Sequence, residues 1–230
     1  MDNNLIRYFV IVWLCLSASC FAYDRHVVQI KSPLAMRGQQ AYVGVTHKFL
    51  GKALVAPLDT KLGMKQGAYV DMYGTYALSP NHAIHVLSGT QYNALSIGYQ
   101  YNVGSIGSWL SAIQLDYYRI EKNVERQINF FFTMMLQHTP KKGSWYTTIN
   151  GYLDGNTKVM GIGTSLEYLI NPRFSTIMEY LTSAPNYGPY GSYVISTKLQ
   201  TFGHNFFLFL SNTTATNSRD IIEGAIDNDP

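Results

Sequence analysis

Charge is scarce in this chain. Only 13% of its 230 residues are Asp, Glu, Lys or Arg, about half the roughly 25% usual in soluble domains. The formal net charge of +3 is small, and the lysines and arginines form no run. Nucleic-acid binding needs a concentrated basic patch that displaces counterions from phosphates, so it is not expected here. Long apolar runs are missing as well. The mean hydropathy is -0.05, and no stretch reaches the roughly 20 apolar residues of a membrane-spanning helix. Cysteine is confined to Cys15 and Cys20. If residues 1–22 are removed, the remaining chain has none, which excludes a disulfide framework. Motifs that carry chemistry are also absent. There is no G-x-S-x-G elbow, no H-E-x-x-H, no phosphate loop and no Cys/His metal spacing, so no catalytic residue, metal or cofactor is expected.

The N-terminus reads as a secretory signal. Arg7 supplies a weakly basic start, offset by Asp2, and Tyr8 to Leu16 form an apolar stretch. Ser17 to Ala22 bring the small residues of a cleavage site, placed after Ala22. A second reading places lipidation at Cys20, although the branched Leu16 sits one position too far upstream for that box. The expected organisation is a signal peptide over 1–22 and one domain over 23–230, with no segment standing out as a plug or a linker.

What the chain has in abundance is aromatic residues (14%, including 18 Tyr and 11 Phe) and a period of two. In 93–103, Leu95, Ile97, Tyr99, Tyr101 and Val103 alternate with Ser96, Gly98, Gln100 and Asn102. Side chains alternate across a strand, so one face is apolar and the other small and polar; a helix of period 3.6 does not produce this pattern. The same alternation predicts strands over 39–49, 68–78, 83–89, 109–118, 127–138, 145–153, 158–170, 173–182, 192–200 and 204–212. The stretch 127–138 is apolar on both faces.

Turn residues separate these segments: Ser79-Pro80-Asn81, Gly104–Ser108, Pro140–Gly143, Asp154-Gly155-Asn156 and Asn171-Pro172. Longer connectors are expected at 50–67, 119–126 and 183–191. These are the first, fifth and ninth, so in a meander all three emerge at one end, as in bacterial outer-membrane barrels.

Low charge, alternating strands and clustered long loops together predict an all-β fold, an up-and-down antiparallel transmembrane β-barrel of about 10–12 strands. Eleven strands are odd, whereas single-chain bacterial barrels close with an even number. Residues His26–Ile30 are a candidate twelfth strand. Lipid on one face and a polar lumen on the other place Glu167, Glu179 and Lys198 in the lumen, because a charge facing mid-membrane costs about 2–4 kcal/mol. Tyr92, Tyr101, Tyr117, Tyr152, Tyr168 and Tyr193, near strand ends, are candidates for interfacial girdles. His82 and His85 lie three apart, but on a strand that spacing puts them on opposite faces, against metal binding. His204 and Ser211 lie at opposite ends of one strand, more than about 20 Å apart, too far for a nucleophile and its base.

Several segments resemble uncharacterised outer-membrane β-barrel proteins of Gram-negative bacteria. Val43–Phe49 (VGVTHKF) resembles the family's early strand, Ala68–Leu78 its following hairpin, and Thr201–Thr213 (TFGHNFFLFLSNT) its late strand. The resemblance covers most of the chain after residue 22 and implies a barrel, with no established activity. Members of that family end in a further strand with a terminal aromatic. Here no aromatic follows Phe209, so either a truncated sequence or an N-terminal strand closing the barrel is expected.

The expected function is that of a non-enzymatic outer-membrane barrel acting as a narrow pore, a solute carrier or a structural surface protein. Its expected partners are outer-membrane lipids, the barrel-assembly machinery and a small solute. Two alternatives remain at this point: a lipid- or polysaccharide-processing barrel enzyme, and a secreted soluble β-barrel binder. The last predicts an apolar interior and a charged exterior.

Overall fold

The computed structural model describes residues 29–33, 38–49, 68–122, 125–139, 144–182, 191–201 and 204–213. The described chain is all-β. Eleven strands follow one another in sequence: β1 (Ala41–Phe49), β2 (Ala68–Ser79), β3 (His82–Gly89), β4 (Ala94–Ile106), β5 (Trp109–Lys122), β6 (Glu125–His138), β7 (Trp145–Asp154), β8 (Met160–Asn171), β9 (Phe174–Leu181), β10 (Ser192–Thr201) and β11 (His204–Ser211). They form one antiparallel up-and-down sheet in which every strand pairs with its sequence neighbours. Each predicted strand is present, because the alternation that identified it is what a sheet with two different faces requires.

The register keeps like with like. Across β4 and β5, Tyr99 stands opposite Leu115 and Ile97 opposite Tyr117, whereas Gln100 stands opposite Gln114 and Gly98 opposite Asp116. A slip of one residue would bring every polar side chain to the apolar face. β6, apolar on both faces in sequence, is resolved by the same register. Ile128, Phe130, Met134 and Leu136 point outward and are exposed, while Asn129, Phe131, Thr133, Met135 and Gln137 are buried.

The connectors at one end are short in sequence: 80–81, 107–108, 172–173 and 202–203 hold two residues each, and 139–144 is the longest there. Gly107 turns the β4–β5 hairpin at a φ of 62°, a left-handed conformation that glycine adopts without steric cost. The opposite end carries 50–67 and 182–191. The fifth connector departs from expectation. Residues 119–122 and 125–126 are not a loop but strand, paired down to Lys122 opposite Glu125. Polar composition suggested a loop there, yet a two-stranded ribbon satisfies its own backbone and needs no apolar face at its tip.

Two further expectations are corrected. The eleven strands fall within the expected 10–12, but the sheet is not closed into a barrel: among the described residues no main-chain pairing joins β1 to β11. As odd members of a meander, these two strands run in the same direction, so the antiparallel ladder that links all other neighbours cannot join them. Nor is there a twelfth strand at Gln29–Ile30. These residues form a bend, and Ile30 is fully buried inside the curved sheet. His26–Val28 lie outside the described residues.

Candidate functional site

The concave side of the sheet is the candidate site, and its composition follows from the strand parity. Ser96, Gly98, Gln100 and Asn102 of β4, Gln114 and Asp116 of β5, Thr148 and Asn150 of β7, Ser165 and Glu167 of β8 and Ser196 and Lys198 of β10 are all buried there. The convex side is apolar on every strand, from Val43 and Val45 of β1 to Phe206, Leu208 and Leu210 of β11. Among the described residues, charged side chains at outward strand positions occur only at the tip of the β5–β6 hairpin. There Arg119, Glu121 and Arg126 gather, with Arg126 3.5 Å from Glu121. No helix among the described residues is long and apolar enough to cross a membrane.

All three lumen candidates lie on the concave side and are buried. Two of them meet: Lys198 Nζ is 2.5 Å from Glu167 Oε1. Ser175 Oγ also donates to that oxygen, at 2.6 Å. The pair spans β9, because Glu167 faces Ile177 and Lys198 faces Ser175 across their ladders. A buried charge is tolerated only when it is paired and hydrogen-bonded, which this arrangement achieves. Glu179 is not part of that pair. Its Oε2 accepts the main-chain N–H of Gln29 at 2.9 Å, and it acts electrostatically on the buried Lys48 of β1 together with Asp71 of β2.

Residues 29–33 run through the concavity, although the sequence shows no plug. Gln29 Oε1 accepts from Ser192 Oγ at 3.4 Å. Lys31 Nζ donates to Asp116 Oδ2 at 2.7 Å and lies 5.9 Å from the centre of the Phe131 ring. The Lys31 carbonyl accepts from Asn150 Nδ2 at 2.9 Å, and Ser32 Oγ donates to Gln137 Oε1 at 2.9 Å. The segment thus touches β5, β6, β7, β9 and β10, so the sheet wraps around it. Ile30 anchors it in an apolar cluster with Ala94, Tyr118, Ile120, Phe131, Tyr152 and Leu181. Gly163 makes room for it: a Cβ there would lie 3.3 Å from Ile30 Cδ1 and 3.0 Å from the Tyr152 ring.

The cluster corrects two of the girdle expectations. Tyr152 points inward and stacks on Phe131, with centroids 5.7 Å apart. Tyr92 sits in the turn before β4 at a φ of 56° and packs against the same cluster. Tyr101, Tyr117, Tyr168 and Tyr193 do face outward and are exposed. Two outward tryptophans not singled out in the sequence join Tyr101 and Tyr168 at the end with the short connectors. Trp109 packs on His138 at 5.2 Å and Trp145 on Tyr168 at 4.5 Å.

Sequence reasoning missed Lys31, Lys48, Asp71 and Asp116. The polar parity of β5, with Gln114 and Asp116 on one face, was a usable signal for Asp116. Lys31 had none, because it lies outside any periodic segment. Of the histidines, His85 is buried, with Nδ1 2.7 Å from Thr75 Oγ1. His82 lies outward and hydrogen-bonds Tyr99. No group of three His, Cys, Asp or Glu among the described residues is arranged to hold a metal. Ser211 Oγ accepts from the Thr213 N–H at 3.3 Å, and Ser196 Oγ lies 3.1 Å from the Leu208 carbonyl. Comparison with protein-family models, curated proteins and solved structures finds no match.

Proposed function

We propose that this chain is an outer-membrane β-barrel protein of a Gram-negative bacterium, exported by its N-terminal signal. It acts as a narrow passage for a small solute and not as an enzyme. One observation carries this reading: the two faces are inverted relative to a soluble barrel. Away from the β5–β6 tip the convex side is apolar on all eleven strands, while Asp71, Asp116, Asp154, Glu167, Glu179, Lys48 and Lys198 are buried on the concave side. In water the convex side would leave an apolar surface far larger than monomers tolerate. In lipid it is the favoured arrangement, and strands of 8 to 14 residues bracket the roughly 9–11 needed to cross a bilayer.

The same environment demands a closed seam, since an unpaired backbone group in hydrocarbon costs several kcal/mol. The approach of Lys48 Nζ on β1 to the Phe209 ring on β11, 5.8 Å from its centre, supports juxtaposed edges. The resemblance to uncharacterised outer-membrane barrels points the same way.

The test is fractionation followed by unboiled gel electrophoresis. Extraction from membranes only by detergent, with a band whose migration changes on heating, is expected. Recovery of folded protein from the soluble periplasm would falsify the reading.

A further inference from the structure

We propose that residues 29–33 are a displaceable plug whose Lys31 occupies a cation site made by Asp116 and Phe131, so that withdrawal of the segment opens a passage for small cations. The inference rests on the membrane-barrel reading above and adds to it a gate and a solute class.

The geometry of the site is that of ammonium recognition. A carboxylate oxygen lies 2.7 Å from Lys31 Nζ, and an aromatic face lies 5.9 Å away, the two features that bind a cation in a partly dry setting. The carboxylate is held in place from its own strand, where Gln114 Nε2 donates to both Asp116 oxygens at 2.6 Å. Space for it is provided by Gly98, directly opposite on β4, where a methyl group would collide with the Asp116 carboxylate. The site thus belongs to the wall, while its occupant belongs to the threaded segment.

The remaining anchors of the segment suit a plug that can be displaced. Beyond the ion pair its contacts include hydrogen bonds with Ser192, Asn150 and Gln137, a charge-assisted one from the Gln29 N–H to the Glu179 carboxylate, and one apolar side chain, Ile30. Each has a ready replacement in water except the last. When the segment leaves, Asp116 loses its ammonium and Glu179 loses the Gln29 N–H. Among the described residues the wall then presents Asp71, Asp116, Asp154, Glu167 and Glu179 against Lys48 and Lys198. That balance attracts cations and repels anions.

The experiment is single-channel recording of the full detergent-extracted protein in planar bilayers with a KCl gradient. The wild type is expected to be mostly closed. Lys31→Met is expected to raise open probability about tenfold or more, by removing a charge-assisted hydrogen bond, with a reversal potential favouring K+ over Cl-. Lys31→Arg keeps the cation and is expected to stay closed. Lys31→Met combined with Asp116→Asn is expected to stay open with a weaker K+ preference. The proposal is overturned if Lys31→Met, still showing the heat-shifted band, conducts no more than wild type, or if its open state prefers Cl-. Absence of that band from the wild type would instead remove the barrel reading itself.

Discussion

On β4, Ile97 and Tyr99 are about half exposed on the convex side, while Ser96 and Gln100 beside them are almost wholly buried on the concave side. The same contrast runs through the sheet, and the two faces obey different energetic rules. Convex side chains touch little of the protein, so their identity is constrained by the surrounding medium and only loosely by shape. Concave side chains are chosen pair by pair. Lys198 is tolerable because Glu167 is there, and Asp116 because Gln114 and Lys31 are there. The comparison teaches that a charge inside this protein is specified by a partner, whereas outside it is excluded by position.

The largest effect should come from breaking a partnership. Glu167→Leu leaves Lys198 buried without its carboxylate and is expected to cost about 3–5 kcal/mol of unfolding free energy, with most of that returned by adding Lys198→Met. Urea titration in lipid vesicles measures both; equal losses in the single and the double variant would mean that the stranded Lys198 charge is not what costs stability.

Next is an attack on the convex side at mid-strand. Leu115→Arg, between Tyr99 and Phe132, is expected to cost about 2–4 kcal/mol in the same titration. A loss near zero would place that face in water.

A smaller effect belongs to the β7–β8 turn. Asp154 Oδ1 accepts from the N–H groups of Asn156 and Thr157 and from Thr157 Oγ. Asp154→Ala is expected to cost about 1–3 kcal/mol, the penalty for leaving such donors unmet. A stability unchanged from wild type would show that water replaces the carboxylate there. The smallest effect should be Ile106→Arg. This residue is the last of β4 and 82% exposed, so in the proposed membrane setting a charge there would reach the headgroup region and cost only about 0–1 kcal/mol. If Ile106→Arg were as damaging as Leu115→Arg, the convex band would not be graded with depth.

Much of this was legible in advance. The positions of all eleven strands, the inward placement of Glu167, Glu179 and Lys198, and the opposite faces of His82 and His85 follow from the sequence pattern, although β6, apolar on both faces, has its two sides decided only by register. Tyr152 and the 119–126 stretch are not legible in this way. Tyr152 lies on the polar parity of β7, beside Asn150 and Asp154, while its aromatic character near a strand end points to the opposite face. Residues 119–126 are polar enough for a loop, yet the ribbon they form pairs through its backbone, which composition does not report.

By itself, then, the chain's order of residues determined where the strands lie and, β6 aside, which side of each is greasy, because alternation is a local property that any strand geometry exposes. The meetings on the concave side were decided only by tertiary structure. Lys31 and Asp116 are 85 positions apart, and Glu167 reaches Lys198 across an intervening strand. Which inward groups touch depends on how far the sheet curls and what threads through it, and the curl is the sum of small twists over eleven strands. No single segment encodes that sum.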